Sequence, residues 1–387
     1  MNICICSDGY PSQGLPYSAF IQVLAKEMVR QGCNIEVVAP QSLTNHFFRG
    51  GKLSPCYFED SVEVNGVKKT IKVYRPYTIT FGNGRFGKLT PKMNRLVTEF
   101  IIKRKKIIPD VFYAHFWSNS FNVLRISEKL NVPLFVATGE DKITIPLFLS
   151  KMDIKQLNQK VKGVICVSTK NMHDSIKLGL TILEKCIVLP NAFDNKDFYP
   201  KNKAEIRNEL GYSQSSFIVA FCGRFNNRKG AMRVAKAINQ LKDSDIHAIF
   251  IGSIADNETE IPDCDGILFR GKLPHKDISK YLNSADVFVL PSLAEGSPNS
   301  VIEAMGCGLP IITSDKPFVL DFLNHDSAML IDPTDVNQIA DAIFKLKHDR
   351  TLLNKLSMAS LSKSKEMTID KRCLKILNFI QNHTKLK

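Results

Sequence analysis

A chain of 387 residues holds two domains at the usual ~150 residues each. Its 44% hydrophobic and 23% charged residues exclude a disordered, collagenous or small disulfide-stapled protein. The formal charge of +14 is lopsided: residues 1–190 carry 26 Lys and Arg against 14 Asp and Glu, residues 191–387 carry 26 against 24. The first half therefore either faces something anionic, a phosphorylated substrate, a membrane surface or a nucleic acid, or holds the excess for solubility alone.

From the N-terminus, Asn2–Cys6 reads as a strand without the basic and apolar regions of a signal peptide. No apolar run approaches the ~18 residues that span a bilayer, so a cytoplasmic location is expected. Ser18–Gln31 follows as a helix, with Phe20, Leu24, Met28 and Val29 on one face and a stop at Gly32. Further strands are expected at 34–39, 111–114, 134–137, 164–167 and 186–189. An antiparallel hairpin interrupts them, 62–64 and 67–74, turning on Asn65-Gly66. Asn191 to Pro200 is polar and reads as a linker. Beyond it, strands at 217–222, 247–251, 266–269, 286–290, 310–313 and 328–331 alternate with helices at 230–241, 278–282, 298–305 and 336–345. The pattern is α/β, two Rossmann-like domains in tandem, with a cleft between them as the expected ligand site.

Ten cysteines include no Cys-x-x-Cys pair, and Cys4, Cys6, Cys166, Cys222 and Cys307 lie in apolar runs, so they read as reduced core thiols. His115 and His173 lack metal-ligand spacing, and no metal site is expected. Gly82-Asn83-Gly84-Arg85-Phe86-Gly87 matches a dinucleotide-binding pattern, but it follows a hairpin and no acidic residue ends a strand ~20 residues on. It reads as a mobile loop.

Two segments carry the chemistry. In the first, Gly223-Arg224-Phe225-Asn226-Asn227-Arg228-Lys229-Gly230 leaves a strand's C-terminal end, where Arg224 and Lys229 suit a diphosphate or are merely solvated. In the second, a turn carrying Glu295 leads into a helix with Ser297 as its N-cap, Pro298 at its first position and Glu303 inside it. The N–H groups near Asn299 and Ser300 then form an anion site. Glu295 and Glu303 stand eight positions apart, a helical separation of ~12 Å, so they suit two contacts along an extended ligand. Otherwise Glu303 pairs on its own helix.

These segments, with Asp286 to Ser292, Glu303-Ala304 and Gly308-Leu309-Pro310, resemble the donor half of retaining GT-B glycosyltransferases, family 4 (glycosyl transferases group 1). Val167-Ser168, Pro190 to Asp194 and Gly9-Tyr10-Pro11 with Gly14 extend the resemblance over most of the chain. It implies a nucleotide-sugar donor whose diphosphate is held by Arg224 and Lys229, with Gly14 closing from the other domain. By the same resemblance Glu303 holds the ribose, Glu295 contacts the donor sugar, and no metal or other cofactor is needed. The acceptor domain is then 1–190, the donor domain 191–367, and a final helix in 368–387 returns to the first domain. Where many members have His-Gly, this chain has Thr138-Gly139, so the family histidine's catalytic contact to the donor sugar falls to His115 or to Thr138, or else His115 is a hydrogen-bonded structural residue. Ala192 replaces a common Gly.

Residues 88–106 alternate Lys88, Lys92, Arg95 and Lys103 to Lys106 with Leu96, Val97, Phe100, Ile101 and Ile102. Such a segment fits an anionic membrane surface from which a lipid-linked glycan acceptor is reached, or is a core helix with a basic outer face. Nucleic-acid binding lacks any recognised module. The expected function is sugar transfer with retention to a lipid-linked or cell-surface glycan. The alternatives are a nucleotide-sugar epimerase of the same fold and a non-catalytic nucleotide-binding protein.

Overall fold

The computed structural model describes residues 1–13, 15, 18–82, 86–254 and 261–384. Gly14 and the centre of the Gly82–Gly87 loop fall outside them. Two compact units divide the chain, one of residues 1–189 with 369–387, the other of residues 190–368.

In the first unit the elements run β1 (Asn2–Cys6), α1 (Ala19–Arg30), β2 (Asn34–Val38), β3 (Gln41–Ser42), α2 (Leu43–Arg49), β4 (Tyr57–Val64), β5 (Val67–Tyr74), β6 (Tyr77–Thr78) and α3 (Leu89–Arg104). They continue through β7 (Val111–His115), α4 (Trp117–Leu130), β8 (Leu134–Thr138), α5 (Lys151–Lys160), β9 (Val161–Cys166), α6 (Thr169–Lys177) and β10 (Cys186–Val188). An eight-stranded sheet has the order β10-β9-β8-β7-β1-β2-β5-β4, parallel except at the β4–β5 hairpin. Its central strands are near-continuous apolar runs because helices cover both faces. The hairpin turns on Asn65 and Gly66, both at positive φ. Its edge strand β4 is acidic, and its register sets Glu63 opposite Lys68 and Glu59 opposite Lys72. Opposite charges across a ladder stabilise the pairing and blunt an otherwise open edge.

The second unit contains α7 (Lys203–Leu210), β11 (Phe217–Cys222), α8 (Ala231–Leu241), β12 (Ile246–Ile251), β13 (Ile267–Gly271), α9 (His275–Ser284), β14 (Val287–Leu290), α10 (Asn299–Gly306), β15 (Ile311–Ser314), β16 (Met329–Ile331), α11 (Val336–His348) and α12 (Arg350–Ser364). Its sheet is parallel with the order β13-β12-β11-β14-β15-β16. In α8 the residues Ala231, Val234, Ala235 and Ile238 are buried, the i, i+3, i+4, i+7 stripe of a helix docked on a sheet.

The last helix, α13 (Ile369–Thr384), packs on α1 and β9 of the first unit. Gly163 of β9 makes this approach possible, since a Cβ there would lie 2.6 Å from Phe379 Cε1 and 2.7 Å from Phe135 Cε1. All ten cysteines are free; Cys4, Cys6, Cys166 and Cys307 are buried, whereas Cys222 is only half-buried.

Candidate functional site

In the second unit the chain starts its sheet at β11, builds outward to β13, then returns to lay β14 on the other side of β11. Loops leaving β11 and β14 therefore diverge in opposite directions, and a crevice opens at their C-terminal ends. Both sequence segments sit there: residues 223–230 follow β11 and residues 291–298 follow β14.

The two loops are clamped together. Leu293 N donates to Arg228 O at 2.8 Å, and Arg228 Nη1 donates to Ala294 O at 2.6 Å and to Glu295 Oε2 at 3.3 Å. Lys229 Nζ meets Glu295 Oε1 at 2.5 Å, both side chains largely buried, and Ser292 Oγ donates to the same oxygen at 2.7 Å. From α8, Arg233 reaches Asn227 O and Pro291 O, each at 2.8 Å. Glu295 is thus fixed by two cations and a hydroxyl. Arg224 is exposed at the start of the loop, with no ion pair among the described residues. Arg224, Arg228, Lys229 and Arg233 outnumber the carboxylates of Glu295 and Glu303, so these residues are net positive together, which is what a diphosphate requires.

Glu303 lies one turn into α10 and pairs not along its own helix but with His275, the first residue of α9, at 2.9 Å from Nε2 to Oε1. Its hydrogen bond to Glu303 raises the His275 pKa against the opposing effect of burial. At the end of β11, burial pushes the Cys222 thiol up to about 12, with Glu303 adding to the rise and Lys229 opposing it.

Two linked expectations are corrected, the N-cap of α10 and its first helical position, which is not Pro298. Ser297 is not the N-cap of α10: the cap is Pro298, with no side-chain cap bond, and the helix begins at Asn299. The Ser297 hydroxyl instead accepts from Asn191 N at 3.2 Å, while Asn191 Nδ2 donates to Ser297 O at 3.0 Å and Asn299 Oδ1 at 2.7 Å. Asn191 thereby sets the turn that Ser297 was expected to cap. The first N–H groups of α10, at Asn299 and Ser300, still lack intrahelical acceptors. Gly223 sits close under Lys229, where a Cβ would touch Lys229 Cδ at 3.6 Å.

In the first unit, His115 ends β7 with its ring against Phe20 and Phe116, at centroid distances of 4.9 and 4.5 Å. Its Nδ1 is buried without a hydrogen bond. Burial, with the Arg372 guanidinium second, holds its imidazole at about 3, so His115 offers the chemistry of a neutral ring. Thr138 is fully buried and donates to Glu140 Oε2 at 2.6 Å. Glu140 also accepts from Trp117 N at 3.2 Å, capping α4. Along α3, Leu96 and Phe100 are more than half exposed beside exposed Lys92 and Lys103, but Arg95 turns its guanidinium over Phe121 at 4.7 Å.

Arg228, Arg233, Asn191, Ser292 and His275 are the site residues that sequence reasoning missed. Arg228 stood inside the motif as an ordinary loop cation, and Pro274 ahead of His275 was a usable helix-start signal. The partners of Asn191 and Ser292 are set only by the fold.

Residues 202–362 match the family model for glycosyl transferases group 1. A putative teichuronic acid biosynthesis glycosyltransferase, TuaC of Bacillus subtilis (strain 168), is 27% identical over 360 residues, 90% of each chain. A UDP-Gal:alpha-D-GlcNAc-diphosphoundecaprenol alpha-1,3-galactosyltransferase of Escherichia coli is 27% identical over 203 residues, 49% of this chain and 52% of that one. Among solved structures, sucrose-phosphate synthase of Thermosynechococcus elongatus superposes with a TM-score of 0.74 at 16% identity, over 98% of both chains. Anabaena HepE in complex with UDP and glucose superposes with a TM-score of 0.69 at 16% identity, over 99% of this chain and 100% of that one.

Proposed function

For this chain, a glycosyltransferase of group 1 with the GT-B fold, we propose a retaining, metal-independent enzyme of family 4. It moves a hexosyl or related sugar from a nucleotide-sugar donor to a hydroxyl of a lipid-linked or cell-surface glycan. The observation that carries the donor half of this reading is the net-positive crevice at the β11–β14 switch, where Lys229, Arg228 and Glu295 interlock.

In this reading Arg224 and Lys229 hold the donor diphosphate, Arg by forked hydrogen bonds and Lys as a point charge, and the Asn299 and Ser300 N–H groups add the helix terminus. Fixed positive charge stabilises the diphosphate as negative charge builds on the departing oxygen, so that no metal is needed to neutralise it. Glu303 accepts the ribose hydroxyls after exchanging its bond with His275, and Glu295 reaches the donor sugar from its anchored position. Retention follows if the acceptor hydroxyl attacks from the face the diphosphate leaves, passing its proton to a diphosphate oxygen. The names of TuaC and of the undecaprenol-linked galactosyltransferase support a cell-surface or lipid-linked acceptor. Exposed Leu96, Phe100, Lys92 and Lys103 support peripheral contact with an anionic membrane from the cytoplasmic side.

Thermal unfolding against UDP, GDP, ADP and their sugar conjugates, in EDTA, tests the donor half. At least one nucleoside diphosphate raises Tm without metal. Lys229→Ala lowers kcat/KM by about 100-fold and leaves the far-UV spectrum unchanged. Stabilisation that needs a divalent cation, or undiminished turnover by Lys229→Ala, refutes the reading.

A further inference from the structure

The two carboxylates of the second unit's site are held by different chemistry. Glu295 is fixed by an ammonium, a guanidinium and a hydroxyl, from Lys229, Arg228 and Ser292. The Glu303 carboxylate has one hydrogen-bonding partner among the described residues, the His275 imidazole, at 2.9 Å from Nε2 to Oε1. Its side chain is only 12% exposed, and a carboxylate so far out of water needs a partner. Imidazole is the side chain whose ordinary titration falls between pH 5 and 8. The hold on Glu303 therefore changes over a range in which a guanidinium keeps its charge.

His275 is placed for this contact by its surroundings. It opens α9 directly after Pro274, and its ring stands edge-on to Phe198 at 5.2 Å and 64°, against a core side chain. A helix N-terminus disfavours a cation, yet three carboxylates act on the ring, Glu303 from α10 and Asp197 and Asp194 from the segment ahead of α7. In that same segment Lys201 lies over the Tyr199 ring at 4.9 Å, while Lys276 and Asp277 follow His275 on α9 with opposite charges. The Cys222 thiol beside Glu303, at about 12, stays neutral throughout. The balance favours the protonated ring. Ribose hydroxyls are neutral donors, and a charge-assisted hydrogen bond is roughly twice as strong as a neutral one. Exchange of His275 for ribose is thus opposed while the ring is charged and eased once it is neutral.

We propose that His275 is the positioning residue of Glu303 and that nucleoside binding is proton-linked through it. Taking the ribose hydroxyls makes the imidazolium release the carboxylate, and the ring then gives its proton to the buffer. This rests on the reading of Glu303 as the ribose ligand, and the test keeps the two apart. Calorimetry on the full chain in EDTA compares UDP, GDP and ADP, each with its 2′,3′-dideoxy counterpart. The ratio of the two affinities cancels the titration of the phosphates. In wild type that ratio exceeds one and rises about three- to tenfold from about pH 6 to about pH 8.5. Buffers of different ionisation enthalpy show more proton release for the ribonucleotide than for the dideoxy form, a readout that needs no variant. His275→Gln, whose amide still donates but does not titrate, keeps a ratio above one that is constant with pH. In Glu303→Ala the ratio falls to about one. A wild-type ratio above one but flat with pH, or one that changes as much in His275→Gln, overturns the proposal and leaves the ribose reading standing. A wild-type ratio of one, or a ratio undiminished in Glu303→Ala, overturns that reading and this proposal with it.

Discussion

His275 and Glu303 show how a residue-scale pairing becomes a pH dependence. The carboxylate, followed in influence by Asp197 and Asp194, favours the charged imidazole, so the folded pKa of His275 lies above its ordinary 6.5. Protonation then tightens folding: the stabilisation is complete below pH 6.5, the unfolded value, and is lost as pH rises through the higher folded value. The Tm difference between wild type and His275→Gln is accordingly largest in mildly acidic buffer and fades toward alkaline pH. A constant difference across that range would remove Glu303 as the cause. At this scale the charges were legible in the sequence and their partners were not. Lys229, Glu295 and Glu303 were visible as residue types in a strand–loop–helix context. The Lys229–Glu295 contact joins positions 66 apart in a register set by the sheet, and Ser297 misled because a turn serine can cap a helix or accept from a distant backbone N–H equally well.

Among the elements, strands and amphipathic helices were legible because burial imposes their periods on the sequence. The β4–β5 hairpin was announced by Asn65-Gly66, yet its strand β4 begins five residues earlier than its apolar pattern suggested, since adjacent Glu59 and Asp60, followed by Ser61, break the apolar alternation between Phe58 and Val62. The start of α9 was also missed, because the polar first turn His275-Lys276-Asp277 faces outward. The loop that joins β11 to α8 depends on Gly230, at φ +84°, where a Cβ would lie 2.7 Å from Pro291 O and 2.6 Å from Arg233 Nη2. Gly230→Ala adds left-handed strain to a backbone collision, a cost of about 1–3 kcal/mol, and pushes the Lys229 loop away from the β14 turn. Urea unfolding is expected to show a lower midpoint with an unchanged slope, with weaker nucleotide binding. An unshifted midpoint would mean that the loop and the turn are not held together as described.

At the scale of the whole molecule, the apolar pattern of the C-terminal helix does not say which core it covers, since either unit has apolar surface to offer. Its return to the first unit came from family resemblance, and in the structure α13 covers β9 and α1. The first unit is therefore discontinuous in sequence, completed only by the last residues of the chain. Ile376, Leu377, Phe379 and Ile380 are buried in it. At about 1.5–3 kcal/mol each, an upper bound given residual burial in the unfolded chain, they rival the about 5–15 kcal/mol net stability of a whole domain. A chain ending at residue 368 is expected to lose the cooperative unfolding of the first unit while the second still binds nucleoside diphosphate. The single tryptophan makes the two separable, because Trp117 is buried in the first unit, where its Nε1 donates to Ser175 Oγ at 3.1 Å. Its emission shifts red on truncation if α13 completes that core; native emission with a native midpoint would show that the helix is dispensable there.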